Sequence, residues 1–393
     1  MNLVILASRF PYPLEKGDKL RLYYQLKILS RTHPITLIVL NEEAVEPAHL
    51  EHVKTFCQHI HILRLSKLQI ISNLIRGFLL GLPLQVSYFY TPRFKRHIIN
   101  WIKYYKPDSV YCQLIRMAPY VMDLPIPKIL DYQDAFSVGM QRRAERSPFW
   151  LKWFFLLETR RLQRYEQWAA DRFNHCTIIS EQDKSLLNIV NKDQVSVVPN
   201  GVDIEFFCPN WSFNKKYDIV FVGNMGYHPN VEAAKYLVKN VLPLLQQQLP
   251  NVTVLIAGAR PTPEVKNLAG ANVHISGWLD DIREAYWSAK LFMAPIFLGS
   301  GQQNKILEAM ACALPCITTP QVNNAIHASV NETILLAEKA EDFANFAVQL
   351  LAEEARREQM GAHARKFVAA RFSWQSATAI LEQLFEQGID VGY

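Results

Sequence analysis

The sequence has no cysteine pair at CxxC or any other metal-type spacing: its six cysteines stand apart at 57, 112, 176, 208, 312 and 316. That excludes a disulfide scaffold and reads as reduced, mostly buried thiols of a cytoplasmic protein. Neither half carries GxGxxG after its first strand, which argues against a dinucleotide oxidoreductase. Apolar stretches at 70–84 and 149–157 are broken by charge or proline before they reach bilayer-spanning length. The opening MNLVILASRFPYP has too short an apolar run, and no basic segment before it, to be an export signal; it reads as a buried strand. Solenoid repeats and low-complexity tracts are lacking. So are zinc-finger, RNP-type and uniformly basic helical signatures, so nucleic acid is not an expected partner.

What is present is length and apolar content. A chain of 393 residues, half of them apolar, exceeds one core and predicts two domains. The net charge of +6 is uneven, with 27 Lys and Arg against 19 Asp and Glu up to Glu205, and 15 against 17 after it. Net charge governs encounter rather than fold, so this asymmetry fits an anionic membrane surface or plain solubility.

Short β-branched or leucine-rich runs alternate with helical patterns: NLVILAS, ITLIVL, IHILRL, SVYCQ, KILDY, CTIIS and VSVVP, then YDIVFVG, VTVLIAG, NVHISG, LFMAP and PCITT. This alternation predicts α/β architecture, two Rossmann-like doubly wound parallel sheets in tandem. The junction falls in PNGVDIEFFCPNWSFNKK, near 200–216, where no period survives. The expected domains are 1–205 and 206–370, with a closing helical segment, 371–393, returning to the first and Ser373 as its N-cap. Ligands of such sheets bind outside the carboxyl ends of strands, here expected in a cleft between the facing domains.

The richest of those loops is FLGSGQQNKILEAMACALPCITT. Glycines allow close backbone approach, and the amides of Gln302, Gln303 and Asn304 would open a helix toward an anion. Lys305 in the first turn opposes the helix dipole and so calls for an anionic partner. Glu308 is placed to accept two ribose hydroxyls. An ordinary solvated Lys305–Glu308 pair fits the spacing equally well.

GSGQQNKILEAMACALPCITT, VVPNGVD (197–203), FVGNMGYHPNVEAAKYL (221–237) and RFSW (371–374) resemble, in order and separation, the motifs of family-four retaining glycosyltransferases of the GT-B fold. RFPYPLEKGDKLR, ILDYQDAFS, ETRRLQRYEQ and TIISEQDKSLL are similar to a narrower group, sugar transferases associated with bacterial exopolysaccharide and PEP-CTERM loci. The resemblance covers most of the chain. It implies a hexosyltransferase-like, metal-independent enzyme that moves a sugar from a nucleotide diphosphate sugar, a co-substrate rather than a cofactor, to a hydroxyl of a glycan or lipid-linked glycan in cell-surface polysaccharide synthesis.

Carried over residue by residue, Glu308 matches the family glutamate that binds the ribose, while the family's first glutamate falls on Ser300, which carries no charge. Gly301, Gln302 and Gln303 would offer amides to the sugar or diphosphate. The loop Gly223, Asn224, Met225, Gly226, Tyr227, His228 lacks the Arg and Lys with which many members hold the diphosphate. A departing diphosphate needs preorganised donors or cations. Lys305 and Arg260 are the expected replacements, although Arg260 also reads as a surface loop residue. Gly277 and Trp278 match the loop near the nucleotide base; Trp278 reads more readily as a packed core aromatic, and Asp280 as a cap of the next helix.

In the first half, Gly17 matches a turn facing the donor phosphates and acceptor, with Lys16, Asp18 and Arg21 around it. Asp18 reads equally as an N-cap, and Arg21 as a cleft residue or a surface partner of Glu15. Asp131 and Asp134 lie where the family sets a polar group near the reacting carbon. Because retaining enzymes of this kind react on the donor's front face without an ordinary enzyme base, the expected role is orientation of a hydroxyl, Asp134 foremost; loop and helix capping is the structural alternative. His59 and His61 alternate on a strand without companion ligands, so no metal is expected. RRAERSPFWLKWFFLLETRRLQRYEQWAADR joins eight cations to Trp150, Trp153, Phe154 and Phe155, fitting either peripheral contact with the inner face of an anionic membrane or a core helix with snorkelling arginines. Two rival readings of the chain are a catalytically degenerate partner of an active transferase and a GT-B nucleotide-sugar epimerase or hydrolase.

Overall fold

The computed structural model describes residues 1–14, 16–298 and 301–390. The chain divides into two compact units, Met1–Pro199 joined by the chain from Ala377, and Asn200–Ser376.

The first unit is built on seven strands: β1 (Leu3–Ala7), β2 (Ile35–Asn41), β3 (His59–Arg64), β4 (Ser109–Gln113), β5 (Lys128–Gln133), β6 (His175–Ile178) and β7 (Val195–Val197). All pairs are parallel, in the order β3-β2-β1-β4-β5-β6-β7. Side chains alternate across a strand, so both faces of this sheet must be apolar. Val4, Leu6, Ile38, Leu40 and Val110 join one core cluster, whereas Leu3, Ile5, Leu37, Val39 and Tyr111 join the other. Helix Gly17–Leu29 covers the second face with Leu22, Leu26 and Leu29, and the last helix, Trp374–Asp390, adds Leu381, Leu384 and Phe385. Ser373 accepts the amide of Ser376 at 3.1 Å and caps that helix.

Two glutamates of the ETRRLQRYEQ motif hold this unit together. Both lie on helix Phe149–Ala170. Glu158 accepts the amide of Leu84 at 2.5 Å, and Glu166 accepts the amide and hydroxyl of Ser137 at 2.9 and 2.7 Å, so each satisfies the first turn of another helix.

The second unit holds β8 (Tyr217–Val222), β9 (Val254–Ala257), β10 (Val273–Gly277), β11 (Ala289–Ala294), β12 (Cys316–Thr318) and β13 (Leu335–Leu336), again all parallel, in the order β10-β9-β8-β11-β12-β13. The twelve runs read from sequence are all strands; β13 is an addition, two residues long. Ahead of the last helix the chain forms two more, Ala340–Ala352 and Glu354–Arg371. All six cysteines are free thiols, buried except Cys208.

In each sheet the order reverses at one point, between β1 and β4 and between β8 and β11. The loops leaving the carboxyl ends there are where such folds open a crevice.

Candidate functional site

In the second unit the switch point brings the loop after β8 against the helix Asn304–Ala311. A Cβ placed on Gly223 would lie 3.4 Å from Lys305 Cε, so the lysine stem crosses the end of β8. Lys305 is half-buried and donates to Gln303 Oε1 at 2.7 Å. Burial lowers its pKa to about 8, offset in part by the charge of Glu308. No carboxylate among the described residues lies within ion-pair distance of it. The helix N-cap, Gln303, makes no side-chain capping bond, and Asn304 Oδ1 is buried without a partner. Uncapped amides and an unneutralised ammonium are donors of the kind that can receive an anion.

Glu308 accepts a hydrogen bond from the buried hydroxyl of Tyr286 at 2.7 Å, and burial raises its pKa against that bond and the Lys305 charge. Tyr286 was not singled out from sequence; it fixes the carboxylate while leaving its other oxygen available. The side-chain amide of Gln302 exchanges two hydrogen bonds with the backbone of Asn200, at 3.1 and 2.7 Å, and so ties the loop to the start of this unit. Gly301 adopts φ +82, and Ser300 lies outside the described residues.

The neighbouring loops close on the same place. Asn224 turns back on itself, accepting the Gly226 amide at 3.0 Å. Gly258, at φ +130, leaves so little room that an added Cβ would stand 1.9 Å from the Gly223 carbonyl oxygen. Arg260 is exposed in the left-handed region, φ +57, with its backbone against Gly226. Gly277 has φ +68, and Trp278 is 73% exposed, donating to Asp280 at 3.3 Å. Trp278 is therefore no core aromatic. The carboxylate that meets the first turn of the next helix is that of Asp281, which accepts the Arg283 amide at 3.0 Å, in place of the expected Asp280.

In the first unit the structure separates residues that the sequence groups. Arg21 and Asp131 are fully buried and form a bidentate pair, Nε to Oδ2 at 2.8 Å and Nη2 to Oδ1 at 3.1 Å. Tyr111 and Thr177 donate the other two bonds to the carboxylate, at 2.9 and 2.8 Å. Arg21 is thus a buried core residue, Glu15 lies outside the described residues, and Asp131 has no acceptor capacity left for a substrate.

Part of Asp134 reaches solvent, but the protein packed around its carboxyl strips enough hydration to raise its pKa to about 6, with the charges of Asp183, Asp131 and Asp18 adding to the rise and that of Arg21 opposing it. Lys16 and Gly17 are exposed, and a Cβ on Gly17 would meet no atom within 4 Å. Asp18 is within the helix rather than capping it, and accepts from Arg9 at 2.7 Å. Arg9, which opens the RFPYPLEKGDKLR stretch after β1, and Arg116, on the loop after β4, are given no role by the sequence alone. His59 and His61 belong to an aromatic cluster: His61 stacks on Trp101 with ring centroids 4.0 Å apart and meets the Tyr105 hydroxyl at 2.9 Å.

The helix Phe149–Ala170 does not bury its aromatic start: Trp150 is 59% and Trp153 61% exposed, while Phe154 and Phe155 are half-buried. Beside it, helix Lys67–Leu79 exposes Leu68, Ile71, Ile75 and Leu79, a stripe at helical spacing. Arg161 joins the two, lying over the Phe78 ring at 4.9 Å and donating to its carbonyl at 3.2 Å. No helix among the described residues is long and apolar enough to cross a membrane.

Comparison with known proteins bears on both units. Residues 28–206 match the family model described as Glycosyltransferase Family 4, and residues 216–353 that described as Glycosyl transferases group 1. An uncharacterized 44.6 kDa protein in the cps region of Klebsiella pneumoniae is 22% identical over 357 residues, 86% of this chain and 87% of that protein. A UDP-Gal:alpha-D-GlcNAc-diphosphoundecaprenol alpha-1,3-galactosyltransferase of Escherichia coli is 29% identical over 152 residues, 33% of this chain and 38% of that one. Among solved structures, a sucrose-phosphate synthase from Thermosynechococcus elongatus superposes with a TM-score of 0.71 at 16% identity, covering all of both chains.

Proposed function

We propose that this chain, whose two units match glycosyltransferase family models and whose fold is GT-B, is a retaining glycosyltransferase acting in cell-surface polysaccharide synthesis. The donor is a nucleotide diphosphate sugar and the acceptor a hydroxyl of a glycan or lipid-linked glycan. Support for the substrate classes comes from the galactosyltransferase relative, whose name gives a UDP-sugar donor and a lipid diphosphate acceptor, and support for the setting from the relative in a cps region.

The observation that carries the reading is the half-buried, unneutralised Lys305 above Gly223 at the switch point. In the proposed reaction the bond from the sugar's anomeric carbon to the diphosphate breaks, and a bond to the acceptor oxygen forms on the same face. The acceptor proton leaves with the diphosphate oxygen. Lys305, the open amides of its helix and Arg260 stabilise the charge that develops on that diphosphate, the largest demand of such a transfer. Glu308, held by Tyr286, accepts the ribose hydroxyls, and Trp278 with the Gly277 backbone offers a face to the base. In the first unit Asp134 orients the accepting hydroxyl. No resident metal or cofactor is required by this scheme.

The exposed stripe of helix Lys67–Leu79 and the aromatic start of helix Phe149–Ala170, flanked by arginines, support peripheral attachment to an anionic inner membrane face. The test of function is product analysis. Incubation with a nucleotide sugar and a polyprenyl diphosphate glycan should give transfer with an unchanged anomeric configuration. Hydrolysis or epimerisation of donor alone, with no transfer, would reject the reading.

A further inference from the structure

We propose that Arg9 and Arg116 form an anion seat in the first unit for a phosphate or diphosphate group carried by the acceptor substrate. The inference rests on the glycosyltransferase reading, and it assigns the acceptor's charged group to two residues that the sequence alone gives no role.

Strands β1 and β4 are hydrogen-bonded neighbours, with Leu3 opposite Ser109 and Leu6 opposite Cys112, and the sheet order reverses between them. Arg9 leaves the end of β1 and Arg116 the end of β4, so both stand at the place where parallel sheets take ligands. Arg9 is the neutralised member, its Nη1 2.7 Å from Asp18 Oδ2. Arg116 has no carboxylate within ion-pair distance among the described residues. Its guanidinium lies over Phe89 and Phe136, at 5.3 and 5.2 Å from the ring centroids, and reaches only Gln85 Oε1, at 3.5 Å. Its Nε is buried without a partner.

Rings on the faces of a guanidinium leave its edge for hydrogen bonding, and a planar fork with free donors matches phosphate oxygens. The two cations are close enough for the Arg9 charge, after burial, to help lower the Arg116 pKa to about 10, against Asp18 and Glu42. Asp18 is spent on Arg9, and Glu42 acts on Arg116 through its charge without an ion-pair contact, so the open donors of Arg116 are the ones left for a phosphate oxygen. The adjoining strand ends carry two more orphan groups, Ser8 Oγ and Gln133 Nε2, both buried without partners. Gln133 is also held at φ +61, a backbone position that costs free energy and is common beside ligand sites. Asp134 follows it directly, so an acceptor anchored by its phosphate would bring its hydroxyl to a carboxylate.

The probe is inorganic pyrophosphate, titrated calorimetrically into the full-length Lys305→Ala chain, in which the proposed donor cation is gone. Binding should persist there and weaken roughly tenfold or more when Arg116→Gln is added, as expected for loss of a charge-assisted contact. Arg116→Lys should recover part of it, and Arg9→Gln should weaken it separately. Nucleoside diphosphate binding to the wild-type chain is measured in parallel; Arg116→Gln should leave it within about twofold. Because that readout tests the donor side alone, its failure and that of the anion seat are distinguishable. Competition by a soluble hexose phosphate would assign the seat to a free phosphate ester, and competition only by vesicles bearing a polyprenyl diphosphate would assign it to a lipid carrier. Pyrophosphate affinity that is unchanged in both arginine variants, with their melting temperatures also unchanged, would overturn the proposal. So would the absence of pyrophosphate binding in the Lys305→Ala chain.

Discussion

Arg21 and Asp131, separated by 110 residues in sequence, meet as a fully buried bidentate ion pair beneath the carboxyl ends of the first sheet. Removing one partner strands the other charge in the core, which typically costs about 3–5 kcal/mol. Arg21→Met should therefore lower the urea midpoint of the first unit sharply, with any loss of turnover following loss of folded protein. A variant that unfolds like the wild type but turns over poorly would return Arg21 to the site.

Part of this was legible. Twelve strands could be read because both faces of a parallel sheet are covered, so each strand is a continuous apolar run. Two residues, Leu335 and Leu336, carry no period, and β13 went unseen. Arg21 had a signal: it shares the buried face of its helix with Gln25 and Leu29, at spacings of four and eight. A residue type that usually marks surface outweighed that spacing. Arg9 opens the RFPYPLEKGDKLR stretch without a spacing that sets it apart, and Arg116 lies outside every quoted motif; their relation emerges only when β1 and β4 are placed side by side. For the second unit the motif around Lys305 was readable, but the Tyr286 bond to Glu308 and the Gln302 bonds to Asn200 depend on distant segments meeting in space.

Gly258 and Gly17 should behave oppositely. An alanine at Gly258 would push its Cβ to 1.9 Å from the Gly223 carbonyl at φ +130, so the β8 loop must move; destabilisation of about 1–3 kcal/mol and weaker nucleotide binding are expected. Gly17→Ala meets open space and should leave the melting temperature almost unchanged while raising KM for a substrate. Equal effects on stability at the two positions would count against the packing described here.

Asp134 has a pKa raised to about 6, so its carboxylate forms as pH rises through that value. If it orients a hydroxyl by accepting a hydrogen bond, turnover should climb between pH 5 and 7 with an inflection near 6, and Asp134→Asn should flatten the profile. The sign for stability is the reverse. A folded pKa above the unfolded one favours the native state at low pH, and that advantage fades as pH rises through about 6. Asp134→Asn should consequently help stability at pH 8 more than at pH 4. A profile that keeps its inflection in the variant would assign the titration to another group.

The exposed aromatic and aliphatic stripes should hold the protein on anionic vesicles. Replacing Trp150 and Trp153 with serine should reduce recovery on flotation severalfold, and raising the salt should reduce it further as the arginines are screened. Wild-type protein that stays at the bottom of the gradient would remove the membrane from the account.

The central claim is that Lys305 and the helix it opens seat the donor diphosphate. Calorimetric titration of UDP, GDP, ADP and dTDP tests it most directly. The ligand that binds tightest to the wild type should lose at least about tenfold in Lys305→Met, the loss expected for a charge-assisted contact to phosphate. Since the free lysine has a pKa near 8 that a bound diphosphate would raise, wild-type binding should be strongest below pH 8, weaken above it and take up protons around that value. Equal affinity in wild type and Lys305→Met at pH 7, with no proton uptake near pH 8, would contradict the account.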